Sequence, residues 1–300
     1  MKDAIEVIGF GALNCDKIYQ VEHLTLPGQE VGIISCAHQP GGSAANTIVG
    51  LARLGVRTGF IGTIGDDRVG RVLIDDLRRE GVDLQGIKIS KGATGTALIF
   101  VDLRGERGIY ILPSVNDTFV ATNEDYVKQA TLVHVSSFMD TDQLKMQIAY
   151  LQRLRKLPMI SFSPGNIYSN LGMQELKPLI EQSFVVFLNR EEAIALTESS
   201  SVEDVSKLLD AGAQTVAVTL GDEGAYIATR RANIYVPPYE SKMADTTGAG
   251  DAFAAGFLYG QLTGKTLRKS GLYGNFMASR SVAQPGSRKG LLQGLRELKT

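Results

Sequence analysis

The sequence predicts an α/β fold: a doubly wound, mostly parallel sheet with helices on both faces and a small β-sheet lid inserted into it. Two observations carry this. Short apolar, β-branched runs recur along the chain, nearly continuous in apolar character, as strands buried on both faces are. Helix-period segments lie between them, and such alternation argues for parallel strands joined by crossover helices. A third observation, two β-rich stretches that break the rhythm, accounts for the lid.

The first strand is expected within Ile5 to Phe10. Others follow at Arg57 to Ile64, Thr131 to Ser136, Met159 to Phe162, Phe184 to Leu188 and Thr215 to Thr219. Helical periodicity covers Ser43 to Leu54, Val69 to Glu80, Thr141 to Lys156, Glu191 to Glu198, Val202 to Ala211 and Ala249 to Leu262. Residues 17–40 contain no convincing helix. Residues 95–113 read as a hairpin, Thr96–Asp102 and Gly108–Leu112 around the polar turn Arg104-Gly105-Glu106-Arg107. The expected organisation is therefore one α/β domain from residues 1–16, 41–94 and 114–300. Residues 17–40 and 95–113 form the lid over it.

With 300 residues, 44% of them hydrophobic, the chain can build a core without staples. Its two cysteines, Cys15 and Cys36, read as reduced thiols rather than a disulfide framework. A net charge of −1 argues against broad electrostatic binding to nucleic acid or anionic membrane. Residues 1–6 lack the apolar stretch of a signal peptide and no 18-residue apolar run occurs, so a cytoplasmic location is expected.

Two glycine motifs look functional and fail on inspection. Gly9-Phe10-Gly11-Ala12-Leu13-Asn14 follows a strand like a dinucleotide fingerprint, but Asn14 stands at the third glycine and no helix opens after it. Gly260 to Thr266 resembles a phosphate-binding loop with one residue too few between its glycines. It follows a helix rather than a strand, so Gly264 reads as a helix C-cap.

Asp245-Thr246-Thr247-Gly248-Ala249-Gly250-Asp251 differs because it leads into an apolar, small-residue helix. Gly248, Ala249 and Gly250 then lie at a helix N-terminus, where unpaired N–H groups and the helix dipole favour an anion. Asp251, one turn in, can take the proton of an attacking hydroxyl. Taken alone, the turn fits a glycine-rich cap with a first-turn acid equally well. A second cluster, Pro40-Gly41-Gly42-Ser43-Ala44-Ala45-Asn46, again sets two glycines before a helix, with Asn46 one turn inside. Asn14 and Asp16 follow the carboxyl end of the first strand, where ligands of open α/β sheets bind. Asn14, Asp16 and Asn46 offer hydrogen bonds suited to a polyol, and Gly41 and Gly42 offer close backbone approach.

These two clusters resemble the paired signatures of the ribokinase family, the PfkB-type carbohydrate kinases, and the likeness runs from Ile5 to about Lys289. The resemblance implies a ribokinase-like fold and transfer of the γ-phosphate of ATP to an alcohol. It implies Asp251 as catalytic base, Gly248, Ala249 and Gly250 as anion hole, and Asn14, Asp16, Gly41, Gly42 and Asn46 as substrate-binding positions. Asn189-Arg190-Glu191-Glu192 is similar to a family motif in which Glu192 holds hydrated Mg²⁺ and Asn189 sits near the phosphates. Thr219, Gly221 and Gly224 match a nucleotide-binding turn, where the acids Asp222 and Glu223 are a departure. Asn275 matches a position beside the adenine. Asp245 and Thr247 match positions that ligate an activating K⁺ in some relatives. Other departures are Ser43, where ribose-specific members carry lysine, and Ser114-Val115-Asn116, where Gly-Ala-Asn is common. The acceptor implied is a small sugar. A nucleoside is the alternative within the fold, and a non-catalytic sugar- or nucleotide-binding regulator is the alternative outside it. Similar proteins pair through a lid strand, which implies a homodimer.

Overall fold

The computed structural model describes residues 5–118, 124–154, 158–242 and 244–298. The chain opens with β1 (Val7–Phe10), then β2 (Cys15–Val21), β3 (Ile33–Pro40), α1 (Ser43–Arg53), β4 (Thr58–Gly65), α2 (Arg68–Arg79) and β5 (Asp83–Ser90). The hairpin β6 (Thr96–Val101) and β7 (Arg107–Leu112) follows, then α3 (Glu124–Lys128), β8 (Leu132–Ser136), α4 (Thr141–Arg153) and β9 (Met159–Ser163). The second half holds α5 (Gly165–Ser169), α6 (Met173–Ile180), β10 (Ser183–Asn189), α7 (Arg190–Thr197), α8 (Ser206–Asp210) and β11 (Thr215–Thr219). It ends with β12 (Ala225–Thr229), β13 (Asn233–Val236), α9 (Ala249–Leu262) and α10 (Leu267–Val282).

Nine strands form one sheet in the order β13-β12-β11-β10-β9-β8-β1-β4-β5. From β11 to β5 every pairing is parallel, and β12 and β13 add an antiparallel edge. Alternate side chains of the central strands serve opposite cores. Ile8, Val133, Val135, Val186 and Leu188 pack on one face with residues of α3 to α8. Val7, Leu132, Val185 and Phe187 pack on the other with α1, α2, α9 and α10. Burial on both faces is why these strands read as continuous apolar runs.

The chain leaves β1 toward β4 and β5, then returns to lay β8 on the other side of β1. The switch in winding direction lies between β1 and β8, and a crevice opens there outside the strands' carboxyl ends. The two irregular stretches join as a separate four-stranded sheet, β3-β2-β6-β7. Its centre is a parallel pairing of β2 with β6, with each hairpin closed antiparallel. Strand β2 begins at Cys15, so Asp16 lies on it. Both cysteines are free, Cys15 buried and Cys36 exposed.

Several elements depart from the sequence reading. The helix expected over Val202 to Ala211 is a 3₁₀ turn, Val202–Val205, followed by the short α8. The C-terminal part of the expected 141–156 helix falls partly outside the described residues; α4 ends at Arg153. Strand β5 is half exposed and polar, α6 carries Pro178 inside it, and α10 contains two glycines, so none shows a clean period. The Gly264 reading holds: α9 ends at Leu262, Gly264 has φ 70°, and Lys265 N–H donates to the Gly260 carbonyl at 2.8 Å. No described helix is long and apolar enough to cross a membrane.

Helices α9 and α10 pack at very short range through Gly256. A Cβ there would lie 2.4 Å from the Tyr273 carbonyl oxygen and 2.9 Å from the Gly274 nitrogen, both backbone atoms that no rotamer change can move. Gly256→Ala is therefore expected to lower stability by about 2–3 kcal/mol through overpacking, read as a lower urea midpoint at unchanged slope. An unchanged midpoint would contradict this packing.

Candidate active site

A cavity of about 180 Å³ opens at the switch point. Its lining includes Ala12 and Asn14 after β1, Gly42 and Ser43 at the start of α1, and Ser137, Phe138 and Met139 after β8. Ile111 and Pro113 from the small sheet close one side, and Asp117 and Ile167 complete it. A larger hollow of about 650 Å³ lies by β12, lined by residues such as Gln214, Arg230 and Leu267, and touches none of the candidate residues.

The two glycine clusters meet here. Asp251, in the first turn of α9, accepts from Ser43 Oγ at 2.7 Å and from Asn46 Nδ2 at 2.9 Å. Thr47 Oγ1 reaches the Asp251 carbonyl at 3.3 Å. Helix α1 is itself set against β8 by Ala44 N–H donating to Ser136 Oγ at 3.3 Å. Burial pushes the Asp251 carboxyl above its usual range, opposed by the hydrogen bonds from Asn46 and Ser43 and by the nearby charge of Arg288.

Gly248 caps α9 in the left-handed region, φ 77°. Ala249 N–H donates to the Thr246 carbonyl at 3.2 Å. The expected trio of open donors is corrected on this point: Ala249 is taken by the turn. The N–H groups of Gly248, Gly250 and Asp251 have no partner among the described residues, and nothing lies within 4 Å of a Cβ placed on Gly250.

Asp16 is 6% exposed and its carboxylate has no hydrogen-bond partner among the described residues. It lies directly against Gly41, where a Cβ would come within 2.1 Å of Oδ1. Burial raises its pKa to about 7, partly offset by Arg288 and reinforced by Asp251. Gly42 takes φ 99° and caps α1. Asn14 Oδ1 accepts from Asn116 Nδ2 at 2.9 Å, and Asn116 also binds the Leu13 carbonyl and Gly95 N–H. Asn116 was noted in the sequence only as part of a departure from the family pattern, yet it fixes Asn14. Ser43 is likewise more than a departure, since it holds Asp251.

Asn189 and Glu192 form a reciprocal capping box at the start of α7, with the Asn189 side chain accepting from Glu192 N–H at 2.8 Å and Glu192 Oε2 from Asn189 N–H at 3.0 Å. Burial lifts the Glu192 pKa to about 7, helped by the negative charge of Asp251. Thr219 ends β11, and Gly221 and Gly224 bracket a 3₁₀ turn with φ 64° and 93°. The acid at Glu223 pairs with Arg190 at 2.6 Å. Asn275, on α10, donates to the carbonyls of Val236 and Pro237 at 3.1 and 2.8 Å, tying that helix to the loop after β13.

Asp245 accepts from Thr247 N–H and Gly286 N–H, both at 2.8 Å. Arg107, at the start of β7, donates to Thr247 Oγ1 and Thr246 Oγ1 at 2.5 and 2.6 Å and lies 3.6 Å from Asp245. The small sheet is thereby attached to the loop that leads into α9. Neither Arg107 nor Arg288 was singled out in the sequence. Each is an ordinary basic residue in a polar stretch, and only the fold brings it to the carboxylates.

A family model described as pfkB family carbohydrate kinase matches residues 5–293. A sugar kinase of Archaeoglobus fulgidus, named as uncharacterized, is 37% identical over 81% of this chain and 98% of its own length. The ATP-dependent ribose-1-phosphate kinase of Halopiger xanaduensis is 32% identical over 95% of this chain and 94% of its own. Among solved structures, the nucleoside kinase of Methanocaldococcus jannaschii superposes with a TM-score of 0.84 at 25% identity, covering 98% of this chain and 97% of that one. The fold is thus ribokinase-like, as expected. On a match that spans nearly the whole chain, and with sugar kinases among its relatives, the chain belongs to the pfkB family of carbohydrate kinases and is a kinase.

Proposed function

We propose that the protein transfers the γ-phosphate of ATP to a hydroxyl of a monosaccharide, with Asp251 as general base. The observation that carries this is the position of Asp251: in the first turn of α9, beside open N–H donors, and held by Asn46 and by Ser43, which itself lines the 180 Å³ cavity. A substrate hydroxyl in the cavity gives its proton to Asp251 while its oxygen attacks the γ-phosphorus, and the bond to ADP breaks. The N–H groups of Gly248 and Gly250 meet charge growing on the transferred group. Asn14, Asp16, Gly41, Gly42 and Asn46 bind the acceptor. Asn189, Thr219, Gly221, Gly224 and Asn275 bind the nucleotide. Mg²⁺ neutralises phosphate charge when bound. Glu192, buried and held by Asn189, is the residue that would hold the hydrated ion. At Asp245 and Thr247 the donor set does not fit K⁺, because Arg107 already places positive charge there.

The acceptor reading rests on cavity size and polar lining. A nucleoside is the second reading, favoured by the apolar side chains of Ile111, Phe138 and Ile167 on the same cavity. The small sheet serves as lid, and exposed apolar side chains on its two edge strands, Ile33 and Ile34 on β3 and Ile109, Tyr110 and Leu112 on β7, offer an edge for a second copy of the chain.

ADP release screened over pentoses, hexoses and nucleosides should select a monosaccharide; a nucleoside acceptor would overturn the sugar reading. With that acceptor, Asp251→Asn should lower kcat by about 10²–10⁴-fold while acceptor binding persists, and near-wild-type turnover would remove the base. Asp16 offers a pH test. Its folded pKa of about 7 exceeds the ordinary value of about 3.9, so the native state holds a proton the unfolded chain releases, and its contribution to stability declines as pH rises between the two. Asp16→Asn should therefore stabilise the protein at pH 8, on the order of 3 kcal/mol, and much less at pH 4, while weakening acceptor binding. Equal effects at both pH values would refute it. Finally, residues 17–40 and 95–113 should become more protease-resistant when acceptor and ATP are present; identical cleavage would count against a lid.

A further inference from the structure

We infer that Arg288 is a positioning residue for the phosphoryl transfer, acting on Asp251 through Asn46. The inference rests on Asp251 as base and names a group outside the family signatures.

Arg288 lies in the loop after α10 and is 7% exposed. Its Nε donates to Asn46 Oδ1 at 2.8 Å, its Nη1 is ion-paired with Asp76 on α2, and its backbone carbonyl accepts from Arg53 on α1 at 2.9 Å. Arg53 is in turn held by both carboxylate oxygens of Glu80. Arg288 is thus braced from two helices, its guanidinium by Asp76 and its backbone by Arg53, before it meets Asn46.

The consequence lies in the chemistry of an amide. The two ends of an asparagine side chain are alike in shape and opposite in hydrogen bonding. Arg288 Nε and Ser287 Oγ, at 2.8 and 3.3 Å, are both donors to one end. They fix the oxygen there and turn the NH₂ toward Asp251 Oδ2, 2.9 Å away. Were the amide reversed, its oxygen would face the carboxylate and its NH₂ would face the guanidinium, two repulsive contacts. Arg288 therefore decides that Asn46 is a donor to Asp251, and with Ser43 this sets the plane of the carboxylate. Lone pairs not used by these two donors remain for the substrate proton.

A second effect is electrostatic. Arg288 bears on both Asp16 and Asp251, favouring their ionised forms against burial. The other charged groups that bear on this cluster are Glu192, which repels Asp251, and Asp76, Glu80 and Arg53 around Arg288. Arg288 Nη2 is buried with no partner among the described residues. A group held only for stability would be expected to satisfy its donors.

Two variants separate geometry from charge, assayed by ADP release with ATP, Mg²⁺ and D-ribose, or the monosaccharide that turns over fastest. Arg288→Lys keeps the charge but replaces the planar fork, whose Nε and Nη1 serve Asn46 and Asp76 separately, by one ammonium nitrogen. Its kcat should fall about tenfold or more through misplacement of the base, with KM for ATP and the acid limb of kcat unchanged. Arg288→Met removes the charge too, so the acid limb should also rise by about one pH unit. A cycle with Asn46→Ala should be non-additive, because the two residues act in series. An Arg288→Lys enzyme within about twofold of wild-type kcat, or an additive cycle, would overturn the inference. If Arg288→Met does not fold, Arg288→Lys decides alone. Asp251→Asn is run in parallel: near-wild-type turnover there overturns the base assignment itself, whatever Arg288 does.

Discussion

The hydrogen bond from Asn46 to Asp251 spans 205 residues of sequence and joins the two halves of the site. Helix α1 brings Asn46 and the glycines that precede it. Helix α9 brings Asp251 and the open N–H groups at its start. The approach of the two helices depends on small residues, since Gly50 faces Ala255 at a distance where a Cβ would be 2.8 Å away. Larger residues would part the helices and separate the carboxylate from the amide that orients it. Arg288 and Asp76 secure the same junction from below, so packing and polar geometry are coupled there.

Electrostatics gives the site its second property. Asp16, Glu192 and Asp251 are carboxyls whose burial raises their pKa values, and Asp251 raises those of the other two. Burying Asp251 and two acids within its electrostatic reach is costly without cations, and the chain supplies Arg288 beside Asp16 and Asp251. A kinase must also admit phosphate and Mg²⁺ to such a crevice. Acids of raised pKa are suited to that arrangement, because a metal ion or a departing proton relieves their mutual repulsion. Arg107 brings a further positive charge to the loop before α9, and it comes from the small sheet. The small sheet thus contributes a charge to the loop before α9 and the side chains Ile111 and Pro113 to one wall of the cavity.

Much of the architecture was readable because buried parallel strands have a direct sequence signature. The run Thr215–Thr219 is β-branched at every position but Ala217, and it forms a strand with those bounds. Ala249–Leu262 was equally legible, since a glycine turn followed by small apolar residues marks a buried helix. Strand β5 escaped because it is an edge strand with a polar exposed side, and α10 because its glycines weaken the helical signal that α9 packing restores. Residues 202–211 looked helical by period, but the first turn closes as 3₁₀.

By itself the sequence determined which residues could do chemistry. A carboxylate behind glycines at a helix start, a second glycine pair with an asparagine one turn in, and polar residues after the first strand are local patterns, set by spacing along one element. Only the tertiary structure decided how those residues use one another. Asn46 donates to Asp251, Asn116 holds Asn14, Arg107 binds the threonines before α9, and Arg288 sets the amide of Asn46. These are contacts between side chains far apart in the chain, and no periodicity records them. Asp16 and Glu192 are ordinary acids in sequence; their pKa values near 7 arise from burial beside other charges, which exists only once the chain has folded.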